Sequence, residues 1–138
     1  MKKILFVATG GTIASKKTEN GLTPQITPEE LISYIPEVEK ICEITAVQPF
    51  NLDSSNVVPE NWSMLVKVIR EHYDAFDGFI IAHGTDTMAY TAAALSYMIQ
   101  NSPKPIVITG AQRPINLDIT DAKTNLSVSF YYACDDAS

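Results

Sequence analysis

Gly78-Phe79-Ile80-Ile81-Ala82-His83-Gly84-Thr85-Asp86-Thr87 begins with five residues that carry no polar side chain and then turns polar at once. A short, uniformly apolar run is what a strand buried on both faces requires, and such strands belong to parallel sheets covered by helices on each side. Pro105-Ile106-Val107-Ile108-Thr109 repeats the pattern, and Lys3-Ile4-Leu5-Phe6-Val7-Ala8-Thr9 shows it again near the N-terminus. A further strand is predicted from Glu43 to Phe50. Helical patterns fill the intervals, from Thr27 to Tyr34, Pro59 to Tyr73, Asp86 to Gln100, and Ile119 to the end. This alternation predicts an α/β fold in one domain: a doubly wound, mostly parallel sheet with helices on both faces, Rossmann or flavodoxin-like.

The helix starts are marked by residue chemistry. Thr27-Pro28-Glu29-Glu30 offers an N-cap hydroxyl, proline at the first helical position and a capping-box glutamate, and Asp118 with Asp121 is expected to cap the last helix. Trp62, Leu65, Val66, Ile69 and Tyr73 recur at helical spacing, so Trp62 is read as core rather than as a ligand platform. Residues 14–27 form the one irregular connection, polar and containing Asn20-Gly21 and Pro24, with the character of a lid.

Two threonines sit where predicted strands end, Thr12 in Thr9-Gly10-Gly11-Thr12-Ile13-Ala14 and Thr85 in His83-Gly84-Thr85-Asp86-Thr87. A hydroxyl is a poor nucleophile at neutral pH, so chemistry there needs a base and donors for the developing oxyanion. Glycine beside each lets the backbone bend and approach a ligand, and Asp86 adds a fixed negative charge at a helix start. Both hydroxyls are expected to converge on one small cleft outside the strands' carboxyl ends, with Asp86 on its rim. His83 is expected to make structural hydrogen bonds, and Arg113 to anchor a loop.

Sixteen acidic and ten scattered basic side chains give a formal net charge of −6, which argues against nucleic acid or an anionic membrane as the main partner. A small zwitterionic or neutral ligand fits better. Residues 1–8 imitate a signal peptide, but the apolar run stops at Thr9, short of the roughly 7–15 residues needed, so a buried strand in a cytoplasmic protein is expected. Cys42 and Cys134 lack a Cys-x-x-Cys pattern and are read as free thiols, with no metal site indicated. Gly11 to Thr18 lacks the second glycine of a P-loop, which argues against nucleotide.

Thr9-Gly10-Gly11-Thr12-Ile13-Ala14 and His83-Gly84-Thr85-Asp86-Thr87 together resemble the L-asparaginase family of amidohydrolases, in its cytoplasmic type. Asn51-Leu52-Asp53-Ser54-Ser55-Asn56, Ile108-Thr109-Gly110-Ala111-Gln112-Arg113-Pro114, Asp121-Ala122 and Asn125-Leu126 extend the likeness across the chain. The resemblance implies that Thr12 is the nucleophile that forms an acyl-enzyme from L-asparagine, and that Thr85 is the second catalytic threonine. It implies that Asp86 binds the substrate ammonium and supports Thr85, that Ser54 holds the carboxylate with Ser55 nearby, and that Ala111 presents a carbonyl near the departing nitrogen. No cofactor is implied, and a homo-oligomer, dimer or tetramer, is.

The chain departs from the family pattern at two places. Leu22 stands where the family has a loop tyrosine, and the catalytic lysine would lie beyond Ser138, so residues 1–138 are read as the N-terminal domain, truncated, without its C-terminal partner. The alternatives are an inactive fragment or amino-acid-binding module, and the glutamine-hydrolysing subunit of a tRNA-dependent amidotransferase.

Overall fold

The structure is a computed structural model describing residues 1–18, 21–24 and 26–136, with backbone alone for 16–18 and 21–24. Its centre is a parallel sheet of β1 (Lys2–Ala8), β4 (Cys42–Val47), β5 (Gly78–Ala82) and β6 (Ile106–Thr109), in the order β4-β1-β5-β6. Strand β1 therefore lies inside, pairing Lys2 with Cys42 on one side and Ile4 with Gly78 on the other. Ile4, Leu5, Phe6 and Val7 are fully buried. Burying each such side chain contributes about 1.5–3 kcal/mol, which explains why the run contains no polar residue.

Alternate residues serve opposite faces, as the pleat dictates. Ile4, Phe6, Ile80 and Ala82 pack with α1 (Pro28–Ser33) and α4 (Ala122–Cys134), where the Phe6 and Phe130 rings meet edge to face at 5.9 Å. Leu5, Val7, Phe79 and Ile81 pack with α2 (Pro59–His72) and α3 (Met88–Met98) through Leu65, Ile69 and Leu95. The doubly wound α/β expectation holds. None of the helices among the described residues is long and apolar enough to cross a membrane.

Several predicted boundaries shift for identifiable reasons. β4 ends at Val47 rather than Phe50, because Pro49 has no N–H for a ladder. Pro105 likewise contributes only its carbonyl, which accepts the Phe79 N–H at 2.9 Å before β6 begins. At α1 the Thr27 hydroxyl accepts the Glu30 N–H at 3.2 Å, the cap that the sequence predicts. The proposed cap of the last helix is corrected: α4 starts at Ala122, and the Asp121 carboxylate makes no cap bond. It turns back instead to accept the N–H groups of Gln112 and Arg113, at 2.9 and 3.1 Å.

The irregular connection is corrected too. Ser15–Thr18 (β2) and Gly21–Pro24 (β3) form an antiparallel ribbon, with Ser15 opposite Pro24 and Thr18 opposite Gly21. Asn-Gly is a strong hairpin signal, and the alternation that normally accompanies it is missing from this polar stretch. Asn20 and the side chain of Leu22 lie outside the described residues, so the tyrosine-to-leucine departure has no structural counterpart here.

Both cysteines are free, as expected, although the fold brings them together. Burial, followed by the adjacent Cys134 thiol, pushes the Cys42 thiol up to about 12. The thiolate is the reactive form. Alkylation of the native protein at pH 8 is therefore expected to spare Cys42, with peptide mass mapping as the readout; prompt labelling there would show that the packing around β4 opens readily.

Candidate active site

The chain leaves β1 toward β4 on one side of the sheet, whereas β5 leads to β6 on the other, so β1 and β5 flank a topological switch point. Crevices at such points bind ligands in open α/β sheets. Three segments meet there. Thr9 donates its N–H and hydroxyl to the Ala82 carbonyl, at 3.0 and 2.7 Å, and its own carbonyl accepts the Leu52 N–H at 2.9 Å. The turn after β1 is thereby tied both to β5 and to residues 51–54.

Glycine lets these segments approach. Gly11 has φ +87°, and a Cβ placed there would stand 2.5 Å from the Gly84 Cα. A Cβ on Gly84 would come within 2.6 Å of the Ser54 Cβ. Neither position has room for any side chain.

A cleft of about 160 Å³ opens above this junction, lined by Gly11, Thr12, Ser15, Asp53, Ser54, Gly84, Thr85 and Asp86. It is smaller than the roughly 300–1,000 Å³ of pockets that take drug-sized ligands. Thr12 and Thr85 thus face one space, with the exposed Asp86 beside them. Among the described residues the lining holds two carboxylates and no cation, and no His, Cys, Asp and Glu cluster suited to a metal occurs.

Ser54 is 3% exposed and central to the arrangement. Its Oγ accepts the Asp86 N–H at 3.1 Å, while its carbonyl accepts the Thr87 hydroxyl at 2.7 Å. These bonds delay α3 to Met88 rather than Asp86. They also leave the Ser54 hydroxyl proton available as a donor. Asp53 does two things: it lines the cleft, and its Oδ1 accepts the Ser55 N–H and hydroxyl, both at 3.0 Å.

Two sequence candidates stand apart from the cleft lining. Ser55 is exposed and bonded to Asp53, whereas Ala111 is 1% exposed on the turn after β6. Sequence reading missed Gln112, whose Nε2 donates to the Thr85 Oγ1 at 3.1 Å. It also missed Ser15, a cleft residue whose hydroxyl is held by the Gly11 carbonyl at 2.8 Å. Nothing in the local pattern marks either contact, because both depend on turns meeting in space.

The turn bearing Gln112 is itself fixed. Asn125 Nδ2 donates to the Gly110 carbonyl at 2.8 Å, and Asp121 grips the next two N–H groups. The Gln112 N–H is the main reason the Asp121 carboxyl lies below the usual carboxylate range. Arg113 is anchored through its backbone, with its carbonyl accepting the Thr120 hydroxyl at 3.0 Å. His83 is fully buried, and burial holds its imidazole below the ordinary value despite a hydrogen bond to the Gly84 carbonyl. It makes structural hydrogen bonds, as expected, and does not line the cleft.

A parallel α/β sheet whose switch-point cleft combines threonine hydroxyls with carboxylates defines a class of small-ligand site. Residues 3–138 match the family described as Asparaginase, N-terminal, and the chain belongs to that family. It is 40% identical to the L-asparaginase of Thermococcus kodakarensis, covering 95% of this chain and 40% of that protein. It is 42% identical to one subunit of the glutamyl-tRNA(Gln) amidotransferase of Archaeoglobus fulgidus, over 96% of this chain and 32% of the other. A crystal structure of a probable cytoplasmic L-asparaginase from Campylobacter jejuni superposes with a TM-score of 0.89 at 34% identity, covering 99% of this chain and 41% of that one. The chain thus spans about two fifths or less of these relatives.

Proposed function

We propose that residues 1–138 form the N-terminal domain of an amidohydrolase that converts L-asparagine to L-aspartate and ammonia, in the cytoplasm and as a homo-oligomer. The observation that carries this reading is the cleft where Thr12, Ser54, Thr85 and Asp86 meet. A free amino acid presents an ammonium and a carboxylate on one carbon. Asp86 attracts the first, and the Ser54 hydroxyl donates to the second.

Thr12 Oγ attacks the side-chain amide carbon; the C–N bond then breaks, nitrogen takes up a proton and leaves as ammonia, and an acyl ester remains on Thr12. Water cleaves that ester to release aspartate. Among the described residues the Thr12 and Thr85 N–H groups donate to no backbone acceptor, which suits them to the oxyanion. Gln112 holds the Thr85 hydroxyl in place. In this reading the partner of Thr85 is a lysine on the strand that follows next in the family, beyond residue 138.

The likeness to a component of an amidotransferase supports a second reading, glutamine hydrolysis. One methylene is worth only about 1–3 kcal/mol of discrimination, so measured rates must decide. Ammonia release by the whole protein is expected to be faster from asparagine than from glutamine, and the reverse order would favour the second reading. Calorimetry with L-aspartate is expected to give binding heat that Asp86→Ala abolishes; unchanged heat would remove Asp86 from the ammonium site.

A further inference from the structure

Behind the cleft, three side chains from separate elements form a closed relay of hydrogen bonds. Trp62 Nε1 on α2 lies 2.9 Å from the Thr91 Oγ1 on α3, that oxygen lies 2.9 Å from the His83 Nε2, and the His83 Nδ1 lies 2.6 Å from the Gly84 carbonyl oxygen. Chemistry fixes the direction of each bond. An indole N–H only donates, so the Thr91 oxygen accepts from Trp62. A carbonyl only accepts, so Nδ1 carries the imidazole proton and donates it to Gly84. Nε2 is then a bare acceptor and takes the single Thr91 hydroxyl proton. Every polar atom of this 0% exposed imidazole is satisfied by the neutral Nδ1–H tautomer.

The consequence reaches the cleft through one peptide plane. No cis peptide occurs among the described residues, and in a trans peptide the carbonyl of one residue and the N–H of the next point in opposite directions. Holding the Gly84 carbonyl toward the buried imidazole turns the Thr85 N–H the other way, toward the space that Gly84 and Thr85 line. Gly84 has no side chain of its own to fix its rotation, so this hydrogen bond helps hold its peptide plane in the narrow space between Gly11 and Ser54. We infer that His83, set in its tautomer by Thr91 and Trp62, is a positioning residue that aims the Thr85 N–H at the oxyanion formed during amide cleavage.

This inference rests on the amidohydrolase reading, and its test separates the two. The amide nitrogen of an asparagine side chain overlies the imidazole Nδ1, whereas that of glutamine reaches the Nε2 position. In the whole protein, His83→Asn retains the donor to Gly84 and is expected to keep kcat for asparagine within about tenfold of wild type. His83→Gln and His83→Leu lose that donor. Their kcat should fall about 10²-fold with KM within threefold, in line with the loss of one oxyanion donor. Equal kcat in the Asn and Gln variants, or a fall carried by KM alone, overturns the inference.

A second measurement needs no variant and no activity. Long-range proton–nitrogen NMR of the wild-type protein should report the Nδ1–H tautomer for His83, and the Nε2–H form would overturn the inference even if the Leu variant fails to fold. A wild type that releases no ammonia from asparagine while showing the Nδ1–H tautomer refutes the amidohydrolase reading, and with it the oxyanion role.

Discussion

Replacing Thr12 by alanine in the whole protein is expected to lower kcat for asparagine hydrolysis by about 10⁴-fold or more, the scale seen when a covalent nucleophile is deleted. The fold should tolerate the change. Thr12 is half-buried on the cleft wall, and among the described residues its hydroxyl has no hydrogen-bond partner that its removal would strand. Aspartate binding should persist, since Ser54 and Asp86 are untouched. Stopped-time ammonia assays with calorimetry on the same preparation check both halves; a variant that keeps wild-type kcat would remove Thr12 from the chemistry, whatever its binding.

Gly84→Ala is expected to do the opposite, disturbing the assembly before the chemistry. The new methyl would stand 2.6 Å from the Ser54 Cβ and 2.7 Å from its Oγ, separations that real side chains do not sustain. Overpacking of this kind costs about 1–3 kcal/mol of stability. The crowded Ser54 Oγ also accepts the Asp86 N–H, so the ammonium and carboxylate subsites proposed above should be disturbed together. Denaturant melts should show the lost stability, and aspartate affinity should fall at least tenfold. A variant with unchanged midpoint and affinity would show that the 54 and 84 turns are not in the tight contact described.

The central strands were legible because burial on both faces leaves no place for a polar residue: β5 spans Gly78–Ala82, the very range its apolar run predicts. Thr27 was legible because its cap is a local interaction, completed three residues away. Asp121 was misread for the complementary reason. A carboxylate ahead of a helix has a local use, and the two N–H groups it actually serves arrive from nine and eight residues back along the chain. In the cleft, the glycine-flanked threonines announced a pair of turns, whereas the Gln112 to Thr85 bond joins residues 27 apart, beyond what spacing reveals. Ser15 was hidden by the polar ribbon around it, which imitates an unstructured connector.

The interior place of the first strand bears on how the chain is made. Val7 must wait for Val47 and Ile81 before either flank is covered, although it leaves the ribosome long before them. Pairings so distant in sequence are slow to form, and the oily Ile4-Leu5-Phe6-Val7 segment stays open to chaperones or to other nascent chains in the meantime. The cleft inherits that delay: its first threonine is synthesised early and acquires a working neighbourhood only after residue 86 has emerged.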